Sequence, residues 1–260
     1  MKIGAHVGRE DPVTEAAARK ADLVQFFLGD PQDFKNVPTI PGDDAAELKK
    51  RAQKDKIDLY VHAPYVINVA TTNNRLRIPG RKMLAEQAEV AASVGAKALI
   101  VHGGHMQKGD DPEVGYDNWR KTFERWTPPL PILIENTAGG DNAMARKFDR
   151  LARLWDALDG FDVGFCLDTC HAHAGGEELL GIVDRVKAIT GRIDLIHCND
   201  SKDDFDSGRD RHENLGAGNI DVDAIIAVVE AAGAPVVCET PGGAQGQGAD
   251  IDLLRSRLPG

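Results

Sequence analysis

The sequence predicts a single-domain α/β protein folded as a (β/α)8 barrel. Three observations predict it. Eight short apolar runs, rich in β-branched residues, punctuate the 260 residues at 2–7, 22–28, 58–62, 98–102, 131–135, 163–168, 194–197 and 235–239. Their length and lack of strict alternation fit parallel strands buried on both faces. Helical patterns lie between them, and eight strand–helix units in roughly 250 residues is the arithmetic of a closed barrel. Finally, the first run is followed by Gly8-Arg9-Glu10-Asp11-Pro12, not by a glycine-rich dinucleotide fingerprint, which disfavours an open doubly wound sheet.

The elements follow in order. After the second run comes the segment 29–35, then a helix over 43–51 that opens on Asp43-Asp44 and closes on Lys49-Lys50-Arg51, matching the helix dipole. The third run leads into a basic loop, 73–82, and a helix over 83–94 closed by Gly95. Behind the fifth run a helix over 144–158 sets Phe148, Leu151, Leu154 and Trp155 near helical spacing. Helices over 178–189 and 222–232 flank the seventh run and a polar loop, 201–218; the second of them ends at Gly233. A flexible Gly- and Gln-containing loop, 242–248, precedes a last helix over 251–258. No linker or low-complexity segment divides the chain.

Composition narrows the function. The chain is 42% hydrophobic and 28% charged, a globular balance. No apolar run approaches the roughly 20 residues of a membrane helix. The N-terminus enters a strand directly with no signal-peptide pattern, so the expected location is cytoplasmic. The 31 basic and 41 acidic residues give a net charge of −10, which argues against a wide basic surface but is compatible with carboxylates gathered around cations. Cys166, Cys170, Cys198 and Cys238 sit in or beside apolar runs without a Cys-x-x-Cys pair, so they read as buried thiols and not as zinc ligands.

The informative feature is where ionisable residues fall. Six runs end on, or one residue before, His62, His102, Glu135, Asp168, His197 or Glu239. In a barrel these positions converge on the C-terminal mouth, where active sites of this fold lie. Converging carboxylates repel and cost several kcal/mol to desolvate unless a cation neutralises them. Imidazole mixed with carboxylate, without thiolate, suits zinc, manganese or iron better than calcium. Paired metals serve phosphoester hydrolysis and also sugar isomerisation, and these six residues do not decide between the two. His171, three residues past Asp168, joins Asp210 and His212 of the polar loop as a set for a third ion, making nine ligands in all.

These motifs resemble the endonuclease IV family of zinc-dependent abasic-site endonucleases. The matching stretches are His62-Ala63-Pro64-Tyr65-Val66-Ile67-Asn68, Ile134-Glu135-Asn136-Thr137-Ala138-Gly139, Leu167-Asp168-Thr169-Cys170-His171, His197-Cys198-Asn199-Asp200-Ser201-Lys202, the stretch 210–220 that opens Asp210-Arg211-His212, and Glu239-Thr240. The resemblance implies a TIM barrel with three zinc ions. His62, His102 and Glu135 would hold one. Glu135 would bridge to a second, held also by Asp168, His197 and Glu239. His171, Asp210 and His212 would hold the third. Glu135 and Glu239 are the implied catalytic carboxylates. The implied partner is duplex DNA with an abasic site or a blocked 3′ end, bound by a monomer. Cleavage 5′ to the lesion would leave a 3′-hydroxyl and a 5′-deoxyribose phosphate, and blocked 3′ ends would be trimmed.

Two stretches depart from the family pattern. His102-Gly103-Gly104-His105 stands where a His-Pro-Gly-Ser-type turn is usual; His102 is the expected ligand and His105 its neighbour. The segment 29–35 lacks the arginine of a basic, aromatic DNA-penetrating stretch, and Gln32 is its nearest polar substitute. Tyr65, Arg75, Arg77, Arg81, Lys202 and Arg211 complete the expected DNA contacts. His6 is read equally as a hydrogen-bonding neighbour of the metals or a core histidine, and His173 as a loop residue. The alternatives are a sugar isomerase or epimerase on the same barrel, needing only Glu135, Asp168, His197 and Glu239, and a non-catalytic lesion binder.

Overall fold

The computed structural model describes residues 1–33 and 37–258. Phe34 and Lys35, which belong to the segment 29–35 singled out above, lie outside the described residues. Seven parallel strands run β1 (Ile3–His6), β2 (Leu23–Phe27), β3 (Asp58–His62), β4 (Leu99–His102), β5 (Ile132–Glu135), β6 (Val163–Asp168) and β7 (Leu195–His197). Next come β8 (Asp200–Ser201) and β9 (His212–Glu213), a separate antiparallel pair. Strand β10 (Val236–Cys238) then closes the barrel between β7 and β1. The expected (β/α)8 barrel is therefore observed.

Helices connect the strands: α1 (Pro12–Ala18), α2 (Ala45–Asp55), α3 (Asn74–Ser93), α4 (Pro112–Arg125), α5 (Phe148–Ala157), α6 (Thr169–Gly175), α7 (Ile182–Thr190), α8 (Val222–Ala232) and α9 (Gly243–Arg257). Caps explain several starts. Asp11, Asp44, Asp111 and Asp221 each accept a hydrogen bond from a first-turn backbone N–H, and Pro12 and Pro112 follow their caps directly. Among the described residues, no helix is long and apolar enough to cross a membrane. All four cysteines are buried and free.

Two apolar layers hold the barrel. The larger lies between strands and helices; Phe26, Leu84, Trp119, Leu151 and Ile225 belong to it. The smaller fills the barrel interior with Leu23, Tyr60, Ala98, Ile100, Leu133, Cys166, Leu195 and Val237. Strand residues alternate between faces, so the side chain two residues beyond an interior one points into the barrel a layer higher. Those next positions are Gln25, His62, His102, Glu135, Asp168, His197 and Glu239. The strand pleat thus stacks a polar layer directly on the apolar plug, at the C-terminal mouth.

Gly4 marks the tightest strand approach. A Cβ at that position would lie 1.8 Å from the carbonyl oxygen of Leu23, its partner on β2. Backbone, not a flexible side chain, would have to move. Gly4→Ala is therefore expected to destabilise the barrel by about 3 kcal/mol, a fall in Tm of roughly 10 °C in a thermal melt; an unchanged Tm would show that β1 and β2 can separate freely.

Several sequence expectations are corrected. The basic loop 73–82 is the start of α3: Asn73 caps it through Arg75 N, and the helix runs on through Pro79. The glycine-containing loop 242–248 is mostly the first turns of α9, anchored by tertiary contacts that override weak propensity. Gln247 donates to the carbonyls of His6 (3.0 Å) and Thr240 (3.1 Å), and Asp250 accepts from Thr240, Asn214 and Leu215. The polar loop 201–218 contains strand pairing, Ser201 opposite His212. His173 lies in α6, not in a loop, where its Nε2 donates to the carbonyl of Asp203 (3.2 Å).

Candidate metal centre

The strand-end residues converge. His62, His102 and Glu135 bring one potential ligand atom each within 4.8 Å of one another, and so do Glu135, Asp168, His197 and Glu239. Glu135 is fully buried at the centre. Its Oε2 lies 3.0 Å from His62 Nε2 and 3.3 Å from His102 Nε2. Its Oε1 lies 3.0 Å from His197 Nδ1 and 3.1 Å from His171 Nδ1. Glu239 Oε2 completes the second group, 3.4 Å from His197 Nδ1.

The third set gathers around the loop between β8 and β9. Asp210 Oδ1 is 3.1 Å from Nε2 of both His171 and His212. Asp168 Oδ2 stands between the second and third sets, 3.7 Å from His212 Nε2 and 3.9 Å from His197 Nδ1. Cys170 also comes within ligand range of Asp210 and His212. Burial pushes its thiol up to about 12, so it stays protonated at neutral pH, as expected of a core cysteine.

Several residues fix these side chains. His62 Nδ1–H donates to the carbonyl of Ala63 (2.7 Å) and His171 Nδ1–H to that of Asn136 (2.9 Å), which turns each Nε2 toward the cluster. Asp168 caps α6 by accepting from His171 N (2.6 Å), so one carboxylate both starts the helix and serves the cluster. Asn199 donates to Asp168 Oδ2 (2.7 Å) and accepts from Glu239 N (2.8 Å).

The residues present fit divalent cations. Nε2 of His171 and of His212 are buried and have no hydrogen-bond partner among the described residues, since neither is aligned with Asp210 despite its proximity. Buried ring nitrogens facing a carboxylate without a hydrogen bond are what a cation would satisfy.

The electrostatics of the metal-free cluster are those of carboxylates neutralised by imidazolium. Burial works against the charge of Glu135, but His197 and His102 outweigh it and hold its pKa well below the ordinary range. Burial dominates at Asp168, whose pKa rises despite His171 and His212. Burial also opposes charge on the histidines, yet Asp168 and Asp210 lift His171 well above its ordinary value, and Cys166, Glu239 and Glu135 do so for His197. Against the same burial, Asp210 and Asp168 push His212 up to about 9. A metal needs the imidazole lone pair, so it must expel these protons. Metal uptake at pH 7 is therefore expected to release protons and to weaken as pH falls below about 9; calorimetric titrations in buffers of different ionisation enthalpy measure the release, and equal apparent enthalpies in all buffers would contradict it.

Among the other sequence-marked residues, His6 Nδ1 lies 3.3 Å from Glu239 Oε1, beside the cluster. His105 is exposed on the rim and held by its backbone to Asn68. Tyr65 stacks on His102 at 5.6 Å between ring centroids and lines a groove of about 340 Å³ with His102, His105, Gly139, His171 and Asp210. Gln32, Arg75, Lys202 and Arg211 are exposed, although Arg211 Nε donates to Asp203 (2.7 Å). Arg77 and Arg81 are half-buried and donate to the carbonyls of Thr71 and Asn118.

Over 257 residues, and 99% of each sequence, the chain is 56% identical to the probable endonuclease 4 of Mycobacterium bovis. The chain belongs to the endonuclease IV family. Residues 13–257 also match the family described as xylose isomerase-like TIM barrel. Endonuclease IV from Thermus thermophilus has a TM-score of 0.84 with it, at 25% identity over 98% of both chains. A D-tagatose 3-epimerase-like protein shares the fold, with a TM-score of 0.78 at 18% identity over 99% of this chain and 97% of that one.

Sequence reasoning missed three neighbours of this endonuclease IV cluster. Gln25 is fully buried against His6, His197 and Glu239. Asn199 clamps Asp168 and Glu239. The ring of Phe27 lies 5.3 Å from His62 and 5.2 Å from Tyr65. A signal existed for the first: Gln25 is a lone amide in an apolar strand, two residues past interior Leu23.

Proposed function

We propose that this protein is a zinc-dependent deoxyribonuclease of base excision repair. It hydrolyses the phosphodiester 5′ to an abasic site in duplex DNA, leaving a 3′-hydroxyl and a 5′-deoxyribose phosphate, and trims blocked 3′ ends. The observation that carries this reading is the division of the Glu135 carboxylate, with Oε2 facing His62 and His102 and Oε1 facing His171 and His197. A carboxylate divided in this way suits a bridge between two metal sites. The group Glu135, Asp168, His197 and Glu239 alone would serve a sugar isomerase equally. The surrounding His62, His102, His171, Asp210 and His212 favour the hydrolase with three ions.

Zinc, when bound, supplies Lewis-acid polarisation of the phosphate and lowers the pKa of water. The chain's own residues place and shield that chemistry. Glu135 and Glu239 are the catalytic carboxylates, and the clamps from Ala63, Asn136 and Asn199 keep ligand atoms turned toward the centre. No thiolate is available as a nucleophile, since Cys170 stays protonated. At the mouth, exposed Tyr65 offers an aromatic face beside the groove. Extruding the lesion sugar is least costly where the base is already missing, which contributes selectivity.

Arg75, Lys202 and Arg211, with the bound cations, supply the positive charge for phosphates on a chain of net charge −10. With roughly three phosphate contacts, log Kd for abasic duplex is expected to change with log salt at a slope of about 3; affinity unchanged between low and high salt would contradict this interface. The functional reading is tested by incubating zinc-replete protein with a duplex carrying one abasic site and identifying the product ends. Cleavage 5′ to the lesion with a 3′-hydroxyl supports it. Absence of cleavage at full metal content, with ketose–aldose conversion instead, overturns it in favour of the isomerase.

A further inference from the structure

Gln25 is a polar residue buried in the polar layer that belongs to none of the three ligand sets. It lies on β2 beside His6 on β1. Its Oε1 lies 2.8 Å from His197 Nε2. Its Nε2 lies 2.6 Å from Glu239 Oε1 and 2.9 Å from His6 Nδ1.

The chemistry of these partners fixes the orientation of the Gln25 amide. An ionised carboxylate only accepts, so the amide must turn its NH2 toward Glu239. Its oxygen then faces His197 and can only accept, which requires a proton on His197 Nε2. The other ring nitrogen, Nδ1, is the one facing Glu135 Oε1 at 3.0 Å and Glu239 Oε2 at 3.4 Å. His6 Nδ1 lies beside the same amide nitrogen and 3.3 Å from Glu239 Oε1. On Glu239, Oε1 is occupied by Gln25, and Oε2 remains turned toward His197.

We propose that Gln25 is a positioning residue: it selects the His197 tautomer that presents Nδ1 to a metal, and it holds Glu239 so that Oε2 is the ligand oxygen. His6 is the far end of the same clamp. The inference rests on the metal-dependent reading above. A Gln in this place does what a carboxylate or carbonyl does behind many metal-bound imidazoles, with the difference that one amide orients two ligands at once.

Gln25→Met keeps length and volume while removing all three hydrogen bonds. It is expected to bind its weakest zinc roughly 10–100-fold less tightly in chelator competition. Its cobalt-substituted form is expected to show an altered visible spectrum, and kcat for abasic incision is expected to fall while KM stays near the wild-type value. Wild-type zinc affinity, cobalt spectrum and kcat in this variant would overturn the proposal. A measurement on the unaltered protein guards against a variant that does not fold: imidazole 15N NMR of the zinc-loaded chain is expected to show His197 protonated at Nε2 and metal-bound at Nδ1, and the reverse assignment overturns the proposal. A wild-type chain with that tautomer but no abasic incision would overturn the functional reading and leave the clamp standing.

Discussion

Glu135→Gln is expected to abolish metal-dependent incision while leaving the barrel folded. The substitution is isosteric, and Glu135 is fully buried, so the packing around it changes little. What changes is charge and donor pattern. Both carboxylate oxygens face imidazole nitrogens, two on each side, at 3.0–3.3 Å. An amide offers one weak acceptor oxygen and turns an NH2 toward the other pair, so it cannot join two cationic sites. Outer partners of metal ligands are worth roughly 10–100-fold in affinity or activity, and a carboxylate shared between two groups should exceed that. The expected outcome is a loss of more than about 100-fold in kcat with reduced zinc content, read by product-end analysis and elemental analysis. The metal-free proteins give a second readout. The Glu135 pKa is held below its ordinary value, so its contribution to stability is present above the unfolded carboxylate pKa and is lost as pH falls through the folded one. Metal-free Glu135→Gln should therefore melt below metal-free wild type at pH 7, and the gap should close in acid. Wild-type zinc content and kcat in this variant would rule out the bridging role.

The physical basis of that cluster explains what the sequence disclosed. A strand that ends in His, Asp or Glu interrupts an apolar run, and the interruption is visible without a structure; His62, His102, Glu135, Asp168 and His197 are all of this kind. Gln25 escaped because it sits inside its run, with Phe26-Phe27-Leu28 after it. Only the strand pleat, which puts Gln25 one step above Leu23, places it among the ligands. The start of α9 was hidden for another reason. Its glycines read as a loop, and what makes them helical is Gln247 and Asp250 bonding His6 at the end of neighbouring β1 and Thr240 after β10. Long-range hydrogen bonds leave no local periodicity. The same holds for Asp168, whose role as the cap of α6 coincides with its place in the cluster and so could not be separated from it by pattern alone.

Asp200→Asn is expected to detach the third group from the other two. Asp210 lies in the connection between β8 and β9 and His212 opens β9; the two strands are joined at only two paired positions, Asp200 with Glu213 and Ser201 with His212. Pairing this short does not order a loop by itself. The buried Asp200 carboxylate ties the segment after β9 back to β8: Oδ2 accepts from Gly216 N and Gly218 N, both at 3.0 Å, and Oδ1 accepts from Ile220 N at 2.9 Å and Ser201 N at 2.7 Å, in addition to the bonds from Asp206 N and Gly208 N that hold the loop to α6. Asparagine keeps one acceptor and turns an NH2 toward at least one pair of these N–H groups. Leaving buried donors unpaired, where they had bonded a charged acceptor, costs about 3 kcal/mol or more. Because that cost falls on this segment and not on the barrel, it should appear as selective loss of the metal proposed at His171, Asp210 and His212, with the one proposed at His62, His102 and Glu135 retained. Incision should fall by roughly 10–100-fold. Gly218→Ala reaches the same point by sterics, since its Cβ would lie 2.4 Å from the carbonyl oxygen of Ser201 and 2.5 Å from Asp200 Oδ1. Two variants that disturb one anchor by unrelated means should share one metal stoichiometry. If either keeps the full metal complement and wild-type incision, the loop is ordered by its ligands and not by Asp200.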